Sequence, residues 1–211
     1  MAYDADDTRR RIFEAATAEF ARYGLAGARV ARIAEEAQAN KQAIYLYFGS
    51  KEKLFAAVVR AKLEEISCTV TIDPDAIAES VGQMFDWYRE HPELIRLLLW
   101  EALEAGDCFI GEAERRETFR DKVRLLTDSG MVPASDHPSC VRAGQDLLFT
   151  LMGLIAWNFA VPGMCRAVLD EDDEQAAYAR RRQYVIDTAR LLTTARLRTP
   201  DRRESQAAAG G

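Results

Sequence analysis

Apolar residues recur every three to four positions along nearly the whole chain, the spacing of helices that each bury one face. Ile12, Ala16 and Phe20, with Phe13 beside them, mark the inner face of a first helix over 8–23, and Gly24 supplies a left-handed stop. Shorter periodic segments follow over 30–37 and 41–48. Gly49 and Ser50 then break the chain, and Ser50 is placed to cap a long helix over 51–67. A second series opens at Asp73-Pro74, an N-cap residue followed by a proline suited to the first helical position. It predicts helices from there to Glu90, from His91-Pro92 to Gly106, and over 112–129, 139–161 and 174–197, with Pro162-Gly163 breaking the chain between the last two. Only 68–72 is β-branched enough for a strand, and it is short. The expected class is all-α, with nine or ten helices. Beyond Pro200 no apolar face remains, so 200–211 is expected to be a disordered tail.

The two short segments meet the requirements of a helix-turn-helix, in which small apolar residues let two helices cross steeply. Ile33, Ala34 and Ala37 form the inner face of the first, Ala39 lies in the turn, and Ile44 with Phe48 form the inner face of the second. That arrangement turns Lys41, Gln42, Tyr45 and Leu46 outward, with Ala43 small enough for close approach and Asn40 a good N-cap. These side chains suit a DNA major groove. Gln42 can pair with adenine, Lys41 can reach guanine or a phosphate, and Ala43 or Leu46 can meet a thymine methyl. The hydroxyls of Tyr45 and Tyr47 can reach phosphates. Lys51 opposes the dipole of its own helix, a placement suited to the DNA backbone. Spacing alone fits a solvated helix face with two half-buried tyrosines equally well.

Charge separates the two readings. The 211-residue chain carries a formal charge of −6, which argues against nucleic acid. Yet 8–62 holds eleven Lys and Arg against five Asp and Glu, leaving the acidic excess to the remainder. A basic lobe on an acidic body is the footprint of a protein that meets phosphates with one end. Arg9, Arg10 and Arg11 either reach toward the minor groove or are solvated. The content of 48% apolar and 29% charged residues is that of a folded globular chain. Cys68, Cys108, Cys140 and Cys165 are far apart, and with His91 and His137 they give no metal-ligand spacing, so free thiols and no metal are expected. The N-terminus carries no apolar run, and the longest apolar stretch, 147–161, is interrupted by Thr150 and Asn158. A cytoplasmic protein without a membrane span is expected.

Three motifs carry a family resemblance: I-x-x-A-A-x-x-x-F-x-x-x-G from Ile12 to Gly24, I-A-x-x-A from Ile33 to Ala37, and I-Y-x-Y-F-x-S-K-E-x-L from Ile44 to Leu54. Together they resemble the N-terminal domain of the TetR family of bacterial transcriptional regulators. The resemblance implies a three-helix DNA-binding domain over 6–66 and a helical ligand-binding and dimerisation domain over 67–199. The DNA contacts it implies are Arg29, Asn40, Lys41, Gln42, Ala43, Tyr45, Leu46, Tyr47 and Lys51. Two positions depart from the family pattern. Arg29 stands where a Ser or Thr usually caps the first motif helix, and an arginine cannot cap, though it can hold a phosphate. Gln38 stands where the turn usually has glycine, at a modest cost for a left-handed backbone.

The body is expected to supply a sensor and a dimer interface. Met84, Trp87, Tyr88, Trp100, Glu101, Phe149, Met152 and Trp157 either line an effector pocket or are ordinary core. The helix over 139–161 is apolar around most of its circumference, and Tyr178, Val185, Ala189 and Leu192 form a stripe on the last helix. Both suit pairing through the last two long helices, and two-fold symmetry is the usual remedy for a weak half-site. No nucleophile elbow, phosphate-binding glycine loop or H-E-x-x-H is found, so no enzyme and no cofactor are expected. The expected function is a regulator of double-stranded operator DNA, a repressor released from a palindromic site by a small-molecule inducer. The alternative is a helical ligand-binding dimer that activates or has lost DNA binding.

Overall fold

The computed structural model describes residues 5–104, 110–129 and 138–196. Among them lie ten α-helices and no strand: α1 (Ala5–Gly27), α2 (Val30–Glu36), α3 (Lys41–Phe48), α4 (Lys51–Thr69), α5 (Ile77–Glu90), α6 (Pro92–Glu104), α7 (Glu112–Asp128), α8 (Pro138–Ala160), α9 (Pro162–Leu169) and α10 (Glu174–Arg196). Cys108, His137, the predicted stop at Gly106 and the tail over 200–211 lie outside the described residues.

Four boundaries differ from the periodicity. Gly24 takes the left-handed break (φ 69°), but helix resumes for another turn, so α1 is two pieces joined at a kink. The β-branched stretch after Ser67 forms no strand: α4 continues to Thr69, and Val70 is extended with its N–H on the Ile66 carbonyl. Asp73 starts a turn rather than a helix. Its carboxylate accepts the Asp75 N–H, the Ser80 hydroxyl accepts the Asp73 N–H, and α5 begins at Ile77. Pro162 does not simply break the chain but opens α9, where the missing N–H costs nothing.

The described residues form two compact units, one from those within 5–71, 83–117 and 156–170, the other from those within 72–82, 118–155 and 171–196. The core of the first joins Ile12, Ala16 and Phe20 of α1, Ile33 and Ala34 of α2, Ile44 of α3, and Leu54, Phe55, Val58 and Val59 of α4. Phe20 and Phe55 meet edge to face at 5.1 Å. Leu97 of α6, wholly buried, belongs to the same core. α6 also holds the end of α1 through polar contacts. Arg96 Nε and Trp100 Nε1 both donate to the Ala21 carbonyl (2.7 and 3.3 Å), and Glu104 accepts the N–H groups of Leu25 and Ala26 (2.7 and 3.0 Å). One turn earlier, buried Glu101 takes a two-pronged bond from Arg115 and the N–H of Ile110. Lys62 of α4 bridges Glu65 and Glu93 at 2.8 and 3.0 Å.

The second unit is closed by Val123 and Leu126 of α7, Leu147, Leu148 and Leu151 of α8, and Val185, Ile186 and Ala189 of α10. α7 and α8 cross at Gly144, where a Cβ would lie 3.1–3.2 Å from Thr127 and Val123. Among the described residues no single helix is long and apolar enough to cross a membrane.

Candidate nucleic-acid interface

The reading head is built from its caps outward. The Asn40 side chain accepts the Gln42 N–H at 2.9 Å and starts α3. Gly49, at φ 81°, ends it with its N–H on the Tyr45 carbonyl, and Ser50 accepts the Lys53 N–H to start α4. With α3 held at both ends, Ile44 is buried while Lys41, Gln42, Tyr45 and Leu46 face outward, Tyr45 half exposed and Leu46 79% exposed. Ala43 and Tyr47 are partly buried against the core, and the Tyr47 ring meets Phe48 edge-on at 6.5 Å. Arg29, Tyr45 and Lys51 are brought together around one open cleft with Ser50 and the acidic Glu52. Lys51 Nζ lies 3.3 Å from the Ala28 carbonyl, so the ammonium stands beside the start of α2. Lys41, Gln42, Ala43 and Leu46 lie off this cleft. With two cations against one carboxylate and the hydroxyls of Tyr45 and Ser50, this cleft beside an exposed amide and an exposed apolar side chain can hold a phosphate and read base edges at once.

Residues 12–58 match the family described as bacterial regulatory proteins, tetR family, and 76–191 match the Tetracyclin repressor-like C-terminal domain. The chain is 42% identical over 180 residues to the HTH-type transcriptional repressor SCO4008 of Streptomyces coelicolor, covering 82% of this chain and 88% of that one. The chain belongs to the TetR family. It is 37% identical over 112 residues to the HTH-type transcriptional repressor NicS of Pseudomonas putida, half of this chain and 53% of the relative. The crystal structure of the putative transcriptional regulator SCO4942 from Streptomyces coelicolor superposes with a TM-score of 0.72 at 31% identity, over 86% of this chain and 96% of that one. As a TetR-family member the protein is a DNA-binding transcriptional repressor.

Both departures from the TetR-family pattern have a structural account. Arg29 makes no side-chain cap. Its backbone N–H instead donates to Glu19 of α1 at 2.8 Å, and the same carboxylate oxygen receives Arg32 Nε at 2.8 Å. Gln38 is left-handed at φ 49°, as a glycine would be without strain. Arg11 supports the adjoining carbonyls, donating to Ala37 at 2.6 Å and Gln38 at 3.4 Å. Sequence reasoning missed Arg11 and Glu19. Arg11 was grouped with its neighbours as a groove or solvent residue, and Glu19 lies one position from the core residue Phe20. Arg10 is paired with Asp7 and Glu14 along α1, and Arg9 lies 5.7 Å over the Phe48 ring.

The pocket candidates divide. In the first unit Trp87 and Tyr88 are buried with rings 5.6 Å apart, Trp87 stacks on His91 at 4.4 Å, and Tyr88 faces Phe159 at 5.9 Å. Burial pushes the Tyr88 phenol up to about 12. Met84 is partly buried. Trp100 packs on Gly24, and Glu101 is taken up by Arg115. Trp157 is 59% exposed. In the second unit Met152 is partly buried and Phe149 is 79% exposed. The expected stripe on α10 also divides: Val185 and Ala189 are buried, Tyr178 and Leu192 are partly buried, and the large apolar side chains exposed on this helix are Tyr184 and Leu191.

Proposed function

We propose that this repressor binds a palindromic operator as a homodimer in the cytoplasm and leaves it when a small molecule occupies its body. Residues 6–66 would read DNA, and 67–199 would sense and dimerise. The observation that carries the reading is the cleft holding Arg29, Tyr45 and Lys51 beside outward-facing Lys41, Gln42 and Leu46. Arg29, Lys51 and Tyr45 contact phosphate, Gln42 reads a base, and Leu46 takes a thymine methyl. Asn40 positions α3, with Ala43 and Tyr47 flanking the contact. Pairing uses the outer faces of α8 and α10, where Val141, Phe149, Tyr184 and Leu191 leave apolar surface uncovered. Met84, Trp87 and Tyr88 of the first unit are the residues proposed to meet the effector. Trp100 and Glu101 already serve the junctions with α1 and α7.

Selection of duplexes from a random library by the full chain tests this. A two-fold symmetric site should emerge, with affinity falling steeply as salt rises because counterions are released from the phosphates. Gln42→Ala should cost roughly 1–3 kcal/mol on the selected duplex and relax preference at one base position in each half-site. Lys51→Ala should weaken all duplexes alike and flatten the salt slope. Enrichment of no duplex would leave only a ligand-carrying dimer, and a Gln42→Ala variant indistinguishable from wild type on the selected duplex would overturn the base-reading role of Gln42.

A further inference from the structure

α2 is only seven residues long, yet α1 holds it at both ends. At its start Glu19, buried on α1, accepts the Arg29 N–H and Arg32 Nε on one oxygen, each at 2.8 Å. Arg32 is fixed further by the Gly27 carbonyl at 3.1 Å and by the Tyr23 ring, 4.3 Å beneath its guanidinium. At its end Arg11 donates to the carbonyls of Ala37 and Gln38, and Asp7 orients it from 3.0 Å. Arg11, Ala15 and Glu19 are four residues apart on α1 and share one face. Eight residues of helix span about 12 Å, close to the roughly 10 Å length of α2, and Ala15 between the two grips is small and buried.

We propose that Arg11 and Glu19 are positioning residues for DNA reading: α1 is a splint that grips both ends of α2 and so fixes the angle at which α3 meets the bases. The inference rests on the DNA-reading role proposed above. The carbonyls held by Arg11 come immediately before Ala39 and Asn40, the residues that lead into α3. Gln38 keeps its left-handed backbone without the glycine that would adopt it freely, so the turn depends on the Arg11 grip. Glu19 satisfies the N–H at the cap position, while the Arg29 side chain, with no cap bond to make, lines the cleft.

The test uses the full chain, the duplex that the wild type selects from a random library, and a scrambled duplex of equal length. A wild type that selects nothing refutes DNA reading itself, a separate failure from that of the splint. Arg11→Ala should bind the selected duplex about tenfold more weakly, the size expected for losing charge-assisted bonds, while the scrambled duplex changes less than about twofold. Adding Gln38→Gly should restore most of the discrimination, because glycine holds the turn without the grip. Glu19→Gln, which keeps shape but loses the charge facing Arg32, should reduce discrimination about threefold. If circular dichroism shows Arg11→Ala unfolded, Arg11→Lys carries the same test, since it keeps the charge but not the fork. Wild-type discrimination in the folded Arg11 variant, or no rescue by Gln38→Gly, overturns the role of Arg11. Unchanged discrimination in Glu19→Gln overturns that of Glu19.

Discussion

At the scale of single residues, Gly24 and Tyr88 show how one position is constrained by what surrounds it. A Cβ on Gly24 would lie 2.7 Å from the Trp100 ring, on a backbone already at φ 69°. Gly24→Ala therefore combines a clash with left-handed strain and should cost about 2–4 kcal/mol, lowering Tm by several degrees in thermal unfolding. An unchanged Tm would mean that α6 does not press on the kink. Tyr88 is held neutral by burial, its pKa raised from 10.0 to about 12. A raised folded pKa gives stability that is fully present below pH 10 and lost as pH climbs through about 12, because the unfolded phenol ionises first. Holding the phenol neutral across that range corresponds to about 2–3 kcal/mol. Unfolding measured from pH 9 to 12 should lose this component in Tyr88→Phe, and parallel curves for the two proteins would refute it.

At the scale of elements, the helices are legible because burial on one face imposes a 3.6-residue period, which α1, α3, α6 and α8 all carry. The period cannot say which helices touch. Leu97 reads as an ordinary apolar residue on α6, and its place in the core shared by α1 to α4 depends on a partner far off in sequence. The same holds for Glu104, which completes the broken end of α1 across 79 residues. Glu104→Ala should remove about 1 kcal/mol of local stability and speed amide exchange at Leu25 and Ala26 several-fold. Protection at those two amides that is identical to wild type would show that solvent serves them as well. Local chemistry was misread where two outcomes share one signal. Asp73-Pro74 can open a helix or a turn, and the Ser80 hydroxyl on the Asp73 N–H accompanies the turn.

At the scale of the molecule, a basic stretch joined to an acidic remainder suits the proposed docking on phosphate with one end only. The proposed two-fold partner joins two heads to two half-sites and multiplies their effective concentration. Phe149→Glu with Leu191→Glu should convert a dimer to a monomer in sedimentation and lose most operator affinity at nanomolar protein, with the helical signal retained. A double variant that still sediments as a dimer would move the interface elsewhere.

The motifs and the helical period were enough to determine an all-α chain of the TetR family and the outward set Lys41, Gln42, Tyr45 and Leu46, because caps and periodicity act over a few residues. Only tertiary structure decided what supports that set. Arg11 and Glu19 are one arginine among three and one carboxylate beside a core phenylalanine until the fold lays α2 along α1. Glu101, a pocket candidate by sequence, is the buried partner of Arg115. Val185 and Ala189, half of a stripe open to any partner by spacing, are buried, while Tyr184 and Leu191 are exposed. The reason is common to all of them. A side chain's type and period say what it can contact, but its partner is set by which distant segment the fold brings against it.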